Sequence, residues 1–227
     1  MNITYYGHSC FELTVNNKRL LFDPFITPNP AAANISLADL KPDYILVSHA
    51  HYDHVADLVA VAKSPNAQVI CSYEIMSWLV NQGVSNCFAM NIGGNFQFDF
   101  GTVRMVAANH SSSFPDGSYG GIAAGFLLTS NEGNVYYSGD TALTHDMQLI
   151  PHYAPELALA LLPIGNCFTM DVKDAAIAAR WVNAKKVIGL HFDTFPPIKI
   201  NHEEALNIFK EAGKHLVLLG IGEAYSL

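Results

Sequence analysis

A chain of 227 residues, half of them hydrophobic and only 14% charged, has enough apolar content to bury a core and is not a disordered tail. Its 12 Lys and Arg against 20 Asp and Glu give a net charge of −8, and no stretch concentrates the basic residues, so nucleic acid is excluded as the default partner, because binding it depends on clustered cations. The count that stands out is ten histidines in so charge-poor a chain.

The first six residues, Met1-Asn2-Ile3-Thr4-Tyr5-Tyr6, lack the basic region, apolar stretch and small-residue cleavage site of a signal peptide. Short apolar runs at 3–6, 11–15 and 19–22 predict strands, the last two joined by a hairpin turn at Asn16-Asn17. Residues 44–47 read as a buried strand running directly into Ser48-His49-Ala50-His51-Tyr52-Asp53-His54, and helical patterns follow at 55–63 and 73–82. Strands are predicted at 103–108 before Asn109-His110, at 135–137 before Ser138-Gly139-Asp140, and at 187–190 before His191. The longest apolar run, 157–162, ends at Pro163 and is far shorter than the ~20 residues of a membrane span. Helices are expected at 172–182, capped by Asp171, and at 203–212, where Asn201 and Glu204 resemble a capping box. No linker or low-complexity tract divides the chain, so residues 1–227 read as one domain, with two sheets and helices outside them. Four scattered cysteines without a CxxC pair fit a reducing cytoplasm.

Four strands thus each deliver a metal-competent side chain at their carboxyl ends. The segment His49-x-His51-x-Asp53-His54 packs four potential ligands into six residues. Imidazole and carboxylate suit a borderline divalent ion, and bonds of roughly 2.0–2.2 Å require the donors to converge. Alternation along a strand points His49 and His51 the same way. After the chain turns, Asp53 and His54 can address a neighbouring point, so one segment can serve two adjacent metals. His110, Asp140 and His191 gain weight as a set rather than singly.

In these residues and their spacing, the sequence resembles the metallo-β-lactamase superfamily over nearly its whole length. Gly7-His8-Ser9, Asp23-Pro24-Phe25, Phe168-Thr169-Met170 and His191-Phe192-Asp193-Thr194-Phe195-Pro196 are similar to its small uncharacterised metal-dependent hydrolases related to ascorbate-6-phosphate lactonase. The resemblance implies an α/β, four-layer αββα sandwich with the site at one edge of the two sheets. It also implies that His49, His51 and His110 hold one metal, that Asp53, His54 and His191 hold a second, and that Asp140 bridges them. Phe192, Asp193 and Asp171 depart from the pattern, where Tyr, a small or polar residue and Gly are usual.

The expected activity is that of a dinuclear hydrolase, in which two divalent ions share a water, lower its pKa towards ~7 and present a hydroxide to a small ester, lactone or phosphoester. Zn²⁺ is the first choice, with Mn²⁺, Fe²⁺ and Ni²⁺ as alternatives. No Ser or Cys nucleophile is required, and Cys10 and Cys167 read as core thiols. Asp53 and His8 are the catalytic candidates, His8 because Gly7 lets the backbone turn and bring an imidazole to the same sheet edge. Asp23 reads as a turn former or as a partner orienting a ligand histidine. His145, His152, His202 and His215 lack the strand-end setting. A small-molecule substrate, no membrane and self-association as a homo-oligomer complete the expectations. The rivals are a ribonuclease of the tRNA-processing branch, disfavoured by the net charge, a diiron oxygen-reducing enzyme, disfavoured by His51, and a non-catalytic metal-stabilised binding module.

Overall fold

The computed structural model describes residues 1–64 and 67–227, and among these the strands form two seven-stranded sheets with closely similar layouts. In the first sheet, β1 (Asn2–Gly7), β2 (Cys10–Val15) and β3 (Lys18–Phe22) run antiparallel, and β4 (Tyr44–Leu46), β5 (Gln68–Ser72) and β6 (Cys87–Met90) continue from β3 in parallel. In the second, β7 (Asn95–Phe98), β8 (Gly101–Ala107), β9 (Ala124–Ser130) and β10 (Gly133–Tyr137) are antiparallel. There β11 (Leu159–Pro163), β12 (Lys186–Leu190) and β13 (His215–Val217) extend the sheet in parallel from β10. The last strand, β14 (Ala224–Ser226), returns to pair antiparallel with β1.

Side-chain alternation sorts each strand between two cores. Leu159 and Leu161 face the inter-sheet core with Phe11, Phe22, Phe126 and Tyr137. Ala160 and Leu162, their neighbours, pack instead under the helices Val172–Trp181 and His202–Glu211. The outer face of the first sheet is covered by α1 (Tyr52–Val55), α2 (Leu58–Ala62) and α3 (Tyr73–Asn81), with Ile45, Val47, Val69, Leu58, Ile75 and Leu79 at 4% exposure or less. The result is the expected four layers: helices, sheet, sheet, helices.

Asn16 and Asn17 have φ of 48° and 60°, the paired left-handed conformation of the tight hairpin turn predicted there. Asp171 accepts from the Asp174 amide and Asn201 from the Glu204 amide, so both predicted caps form. The helix predicted over 55–63 is instead two short helices. The break falls at Asp57, whose carboxylate accepts the amides of Ile26 and Thr27 at 2.7 and 2.8 Å, while its own amide bonds to the Pro24 carbonyl. Tying down the 24–27 turn thus diverts Asp57 from a continuous helix. Among the described residues no helix is long and apolar enough to cross a membrane.

Candidate metal centre

Strands β4, β8, β10 and β12 end at one edge of the sandwich, and the seven predicted donors follow those ends. Three backbone features set their aim. His8 and His191 adopt left-handed φ of 56° and 54°, and Gly139, at 62°, frees the turn before Asp140. A Cβ at Gly139 would lie 2.4 Å from the Ala124 carbonyl oxygen, so only glycine lets the strand end approach its neighbour so closely. The His191 amide donates to the His8 carbonyl at 2.9 Å, and the Ala124 amide donates to the Ser48 carbonyl at 3.0 Å; these bonds stitch the two sheets together beside the site.

The structure gathers the donors into two groups. Donor atoms of His49, His51 and His110 lie within 4.8 Å of one another, as do those of Asp53, His54 and His191, with His8 beside them. Asp140, 2% exposed, lies between the groups. Its Oδ2 is 2.9 Å from His191 Nε2, 3.3 Å from His54 Nε2 and 3.8 Å from His110 Nε2. An ion with bonds of about 2.0–2.1 Å places tetrahedral ligands roughly 3.3–3.4 Å apart, so these separations suit donors arranged around shared ions. His54 Nε2, Asp140 Oδ1 and His191 Nδ1 are buried without a hydrogen-bond partner. Buried polar atoms are normally paired, so this concentration of unpaired ones at a single locus fits a site built for cations.

Asp23 organises the floor. Fully buried, it accepts hydrogen bonds from the Ser48 amide at 2.8 Å, Ser48 Oγ at 2.5 Å, His54 Nδ1 at 2.7 Å and the Tyr137 hydroxyl at 2.6 Å. Since Ser48 Oγ donates to Asp23, it accepts from His49 Nδ1 at 3.0 Å. Both rings are therefore anchored through Nδ1, which leaves Nε2 as the nitrogen that faces the site. Asp23 falls within ligand distance of His49 and His54, yet its carboxylate already accepts four hydrogen bonds; it orients the His54 ring directly and the His49 ring through Ser48.

His8 lies beside the second group of donors. It is 1% exposed, with Nε2 2.8 Å from Asp53 Oδ2 and Nδ1 2.9 Å from Thr194 Oγ1. Burial first, and then His191, pull its pKa down to about 4 against the contribution of Asp53, so the ring is neutral at pH 7. Nε2–H then donates to Asp53, and Nδ1 accepts from the Thr194 hydroxyl. Both ring nitrogens are thus engaged, and one of them holds the Asp53 carboxylate. Cys167 departs from expectation. Cys10 is a buried thiol, whereas Cys167 is exposed, because left-handed φ at Asn166 and Cys167 (65° and 61°) turns it out of the core. Thr194, Ser48 and Ser111 were not singled out from the sequence; a lone hydroxyl carries no periodic or spacing signal. His145 lies against Trp181 and His202 pairs with Asp193, and neither is among the grouped donors.

Protonation divides the groups. Burial, chiefly, and then His54 hold His49 well below the ordinary imidazole range, and burial likewise lowers His51 and His110. Burial would also lower His54 and His191, but Asp140, with Asp23 or Asp53, outweighs it, raising His54 strongly and His191 to about 9. Asp140 is correspondingly held far below the usual carboxylate range, since His191 and His54 overcome the cost of burying it. A histidine whose folded pKa is raised stabilises the fold below its unfolded pKa of about 6.5, and that contribution fades as pH climbs through the folded value. Metal-free protein is therefore expected to lose stability, on the order of a few kcal/mol, between about pH 7 and pH 9. Thermal unfolding in chelator across that range checks it, and a transition temperature that rises over the interval would contradict the protonated His54 and His191.

Above the donors lies a cavity of about 480 Å³, floored by His51, Asp53, His110, Asp140 and His191 and walled by Ser111, Cys167 and Phe168. Ser111 Oγ is 3.3 Å from His51 Nε2. The volume is that of a small-molecule site.

Residues 18–192 match the Beta-lactamase superfamily domain. The chain belongs to that superfamily. Over its full length it is 52% identical to a UPF0173 metal-dependent hydrolase of Flavobacterium johnsoniae and 50% identical to one of Methylacidiphilum infernorum, covering all of each relative. Among solved structures, Igni18, a metallo hydrolase from Ignicoccus hospitalis, superimposes with a TM-score of 0.88 at 30% identity, covering 100% of this chain and 98% of that one. The chain is thus a metal-dependent hydrolase of the superfamily, and its layered fold is the one those relatives share.

Proposed function

We propose that this member of the superfamily is a dinuclear hydrolase of small esters, lactones or phosphoesters. In this reading His49, His51 and His110 hold one ion, Asp53, His54 and His191 hold the other, and Asp140 is shared. The observation that carries it is the pair of donor groups with a buried carboxylate between them. Bound divalent ions supply a water of lowered pKa and a Lewis acid for the scissile carbonyl or phosphoryl oxygen. The chain's residues do the rest. Ser48 and Asp23 fix the tautomers of His49 and His54, His8 holds Asp53, and the walls of the cavity confine the substrate over the donors. Neutral His49, His51 and His110 are ready ligands, whereas His54 and His191 must release their protons on loading. Zn²⁺ suits a set so rich in imidazole, with Mn²⁺, Fe²⁺ and Ni²⁺ open to supply and geometry.

Elemental analysis of protein purified without chelator, paired with turnover of lactones and phosphodiesters, tests this reading. Two ions per chain, with activity abolished by chelation and restored by metal, are expected; at most one ion in the fully loaded protein would contradict it. His8→Ala should weaken the ion on Asp53 by about 10- to 100-fold, as loss of a ligand-orienting partner does. The ion on His49, His51 and His110 should be retained. Titration against a competing chelator measures both, and equal loss from the two groups would assign His8 a general structural role.

A further inference from the structure

The cavity takes neutral carboxylic esters, lactones included, with a short apolar acyl part, and Phe168 selects them; we propose this on the strength of the hydrolase reading above. Charge comes first. The described lining residues include no Lys or Arg, and their anionic side chains are Asp53 and Asp140. A phosphoester keeps its negative charge throughout the reaction, and sites for phosphoryl groups supply Arg, Lys or further metal to clamp it. Here the wall offers only the Ser111 hydroxyl and the Cys167 thiol as side-chain donors. Lys173 and Lys199 line a separate cleft alongside Asn166 and Asp171. Beyond the ions themselves the lining thus adds no cation to hold a phosphate group, and its wall is left to an uncharged acyl group.

Phe168 supplies the second argument. It is 53% exposed and stands at the cavity wall on a turn containing two consecutive left-handed residues, Asn166 and Cys167. Such conformations cost energy and persist where surrounding contacts enforce them. The turn is closed by the Asn166 amide on the Met170 carbonyl at 3.0 Å, and the Met170 amide bonds in turn to the carbonyl of Thr141, the neighbour of Asp140. The backbone that carries Phe168 is therefore tied to the strand end that carries the central carboxylate. A large apolar surface kept open to water beside a hydrolytic centre is covered when a substrate with an apolar acyl group binds.

The test uses the metal-loaded protein with p-nitrophenyl acetate, p-nitrophenyl butyrate and bis(p-nitrophenyl) phosphate, which share a leaving group. Calorimetry then compares binding of δ-valerolactam, a neutral ring that resists hydrolysis, with binding of dimethyl phosphate. Butyrate should exceed acetate in kcat/KM, and the lactam should bind more tightly than dimethyl phosphate. Phe168→Ala should lower the butyrate-to-acetate ratio about tenfold, mainly through KM and with bound metal unchanged, whereas Phe168→Leu should largely restore it. An unaltered ratio in Phe168→Ala, or tighter binding of dimethyl phosphate, overturns the proposal. Turnover of the phosphodiester alone also overturns it while leaving the hydrolase reading intact. No turnover of any of the three by protein carrying two ions would overturn both.

Discussion

Asp140→Asn is expected to cut turnover at least 100-fold at saturating metal, with bound ions lost from both groups. The substitution keeps the side chain's shape and removes its charge. In the metal-free protein Asp140 balances His54 and His191, at 3.3 and 2.9 Å, in a setting where it is 2% exposed. Removing one partner from a buried charged cluster costs about 3–5 kcal/mol. The imidazoles respond by giving up their protons, which moderates the loss of stability. The loss of metal cannot be moderated in the same way, because a neutral amide is a poor ligand for two cations at once. Elemental analysis and turnover on the same preparation check this, and an active variant with both ions in place would refute the shared carboxylate.

The second large effect is expected at Asp23. Asp23→Ala leaves four donors around an empty buried position: the Ser48 amide and hydroxyl, His54 Nδ1 and the Tyr137 hydroxyl. Each unsatisfied buried group costs about 1–3 kcal/mol, and alanine is also a poor fit to the left-handed φ of 42° at this position. A loss of at least ~4 kcal/mol follows, which for a chain of this size lowers the melting temperature by roughly 10 °C or more. Asp23→Asn separates the two roles of the residue. It retains much of the packing but replaces the anionic acceptor at His54, so metal affinity should fall more than stability does. Should Asp23→Asn melt as low as Asp23→Ala while binding metal normally, Asp23 would be a structural residue alone.

The site was more legible in the sequence than the sheets around it. His49-x-His51-x-Asp53-His54 declares itself because metal donors cluster in sequence where a strand ends, and the later strand ends at His110, Asp140 and His191 repeat the pattern. Helices at 73–82, 172–182 and 203–212 were visible because one face packs on a sheet and the other meets water. Strands β9 and β11 were not read as strands for the opposite reason. In β11 every residue is buried, and in β9 all but the last two are, so the period-two alternation that marks a half-exposed strand is erased. The place of His8 was illegible for another reason. Gly7 suggested the turn, but the left-handed φ at His8 and the bond to Thr194, 186 residues further along the chain, are products of tertiary packing.

The donors at 49–54 hang from the first sheet, whereas His110, Asp140 and His191 hang from the second, so an ion held among them is bonded to both layers at once. An unfolded chain cannot assemble that geometry, because His54 and His191 meet only after the sheets have docked. Metal bonds to these donors would therefore be made late in folding and would have to break before the layers part. Their signature is kinetic: loading should slow unfolding many-fold while leaving the refolding rate nearly unchanged. Metal supply would then govern how long a folded molecule survives heat or a protease, independently of whether it is turning over substrate.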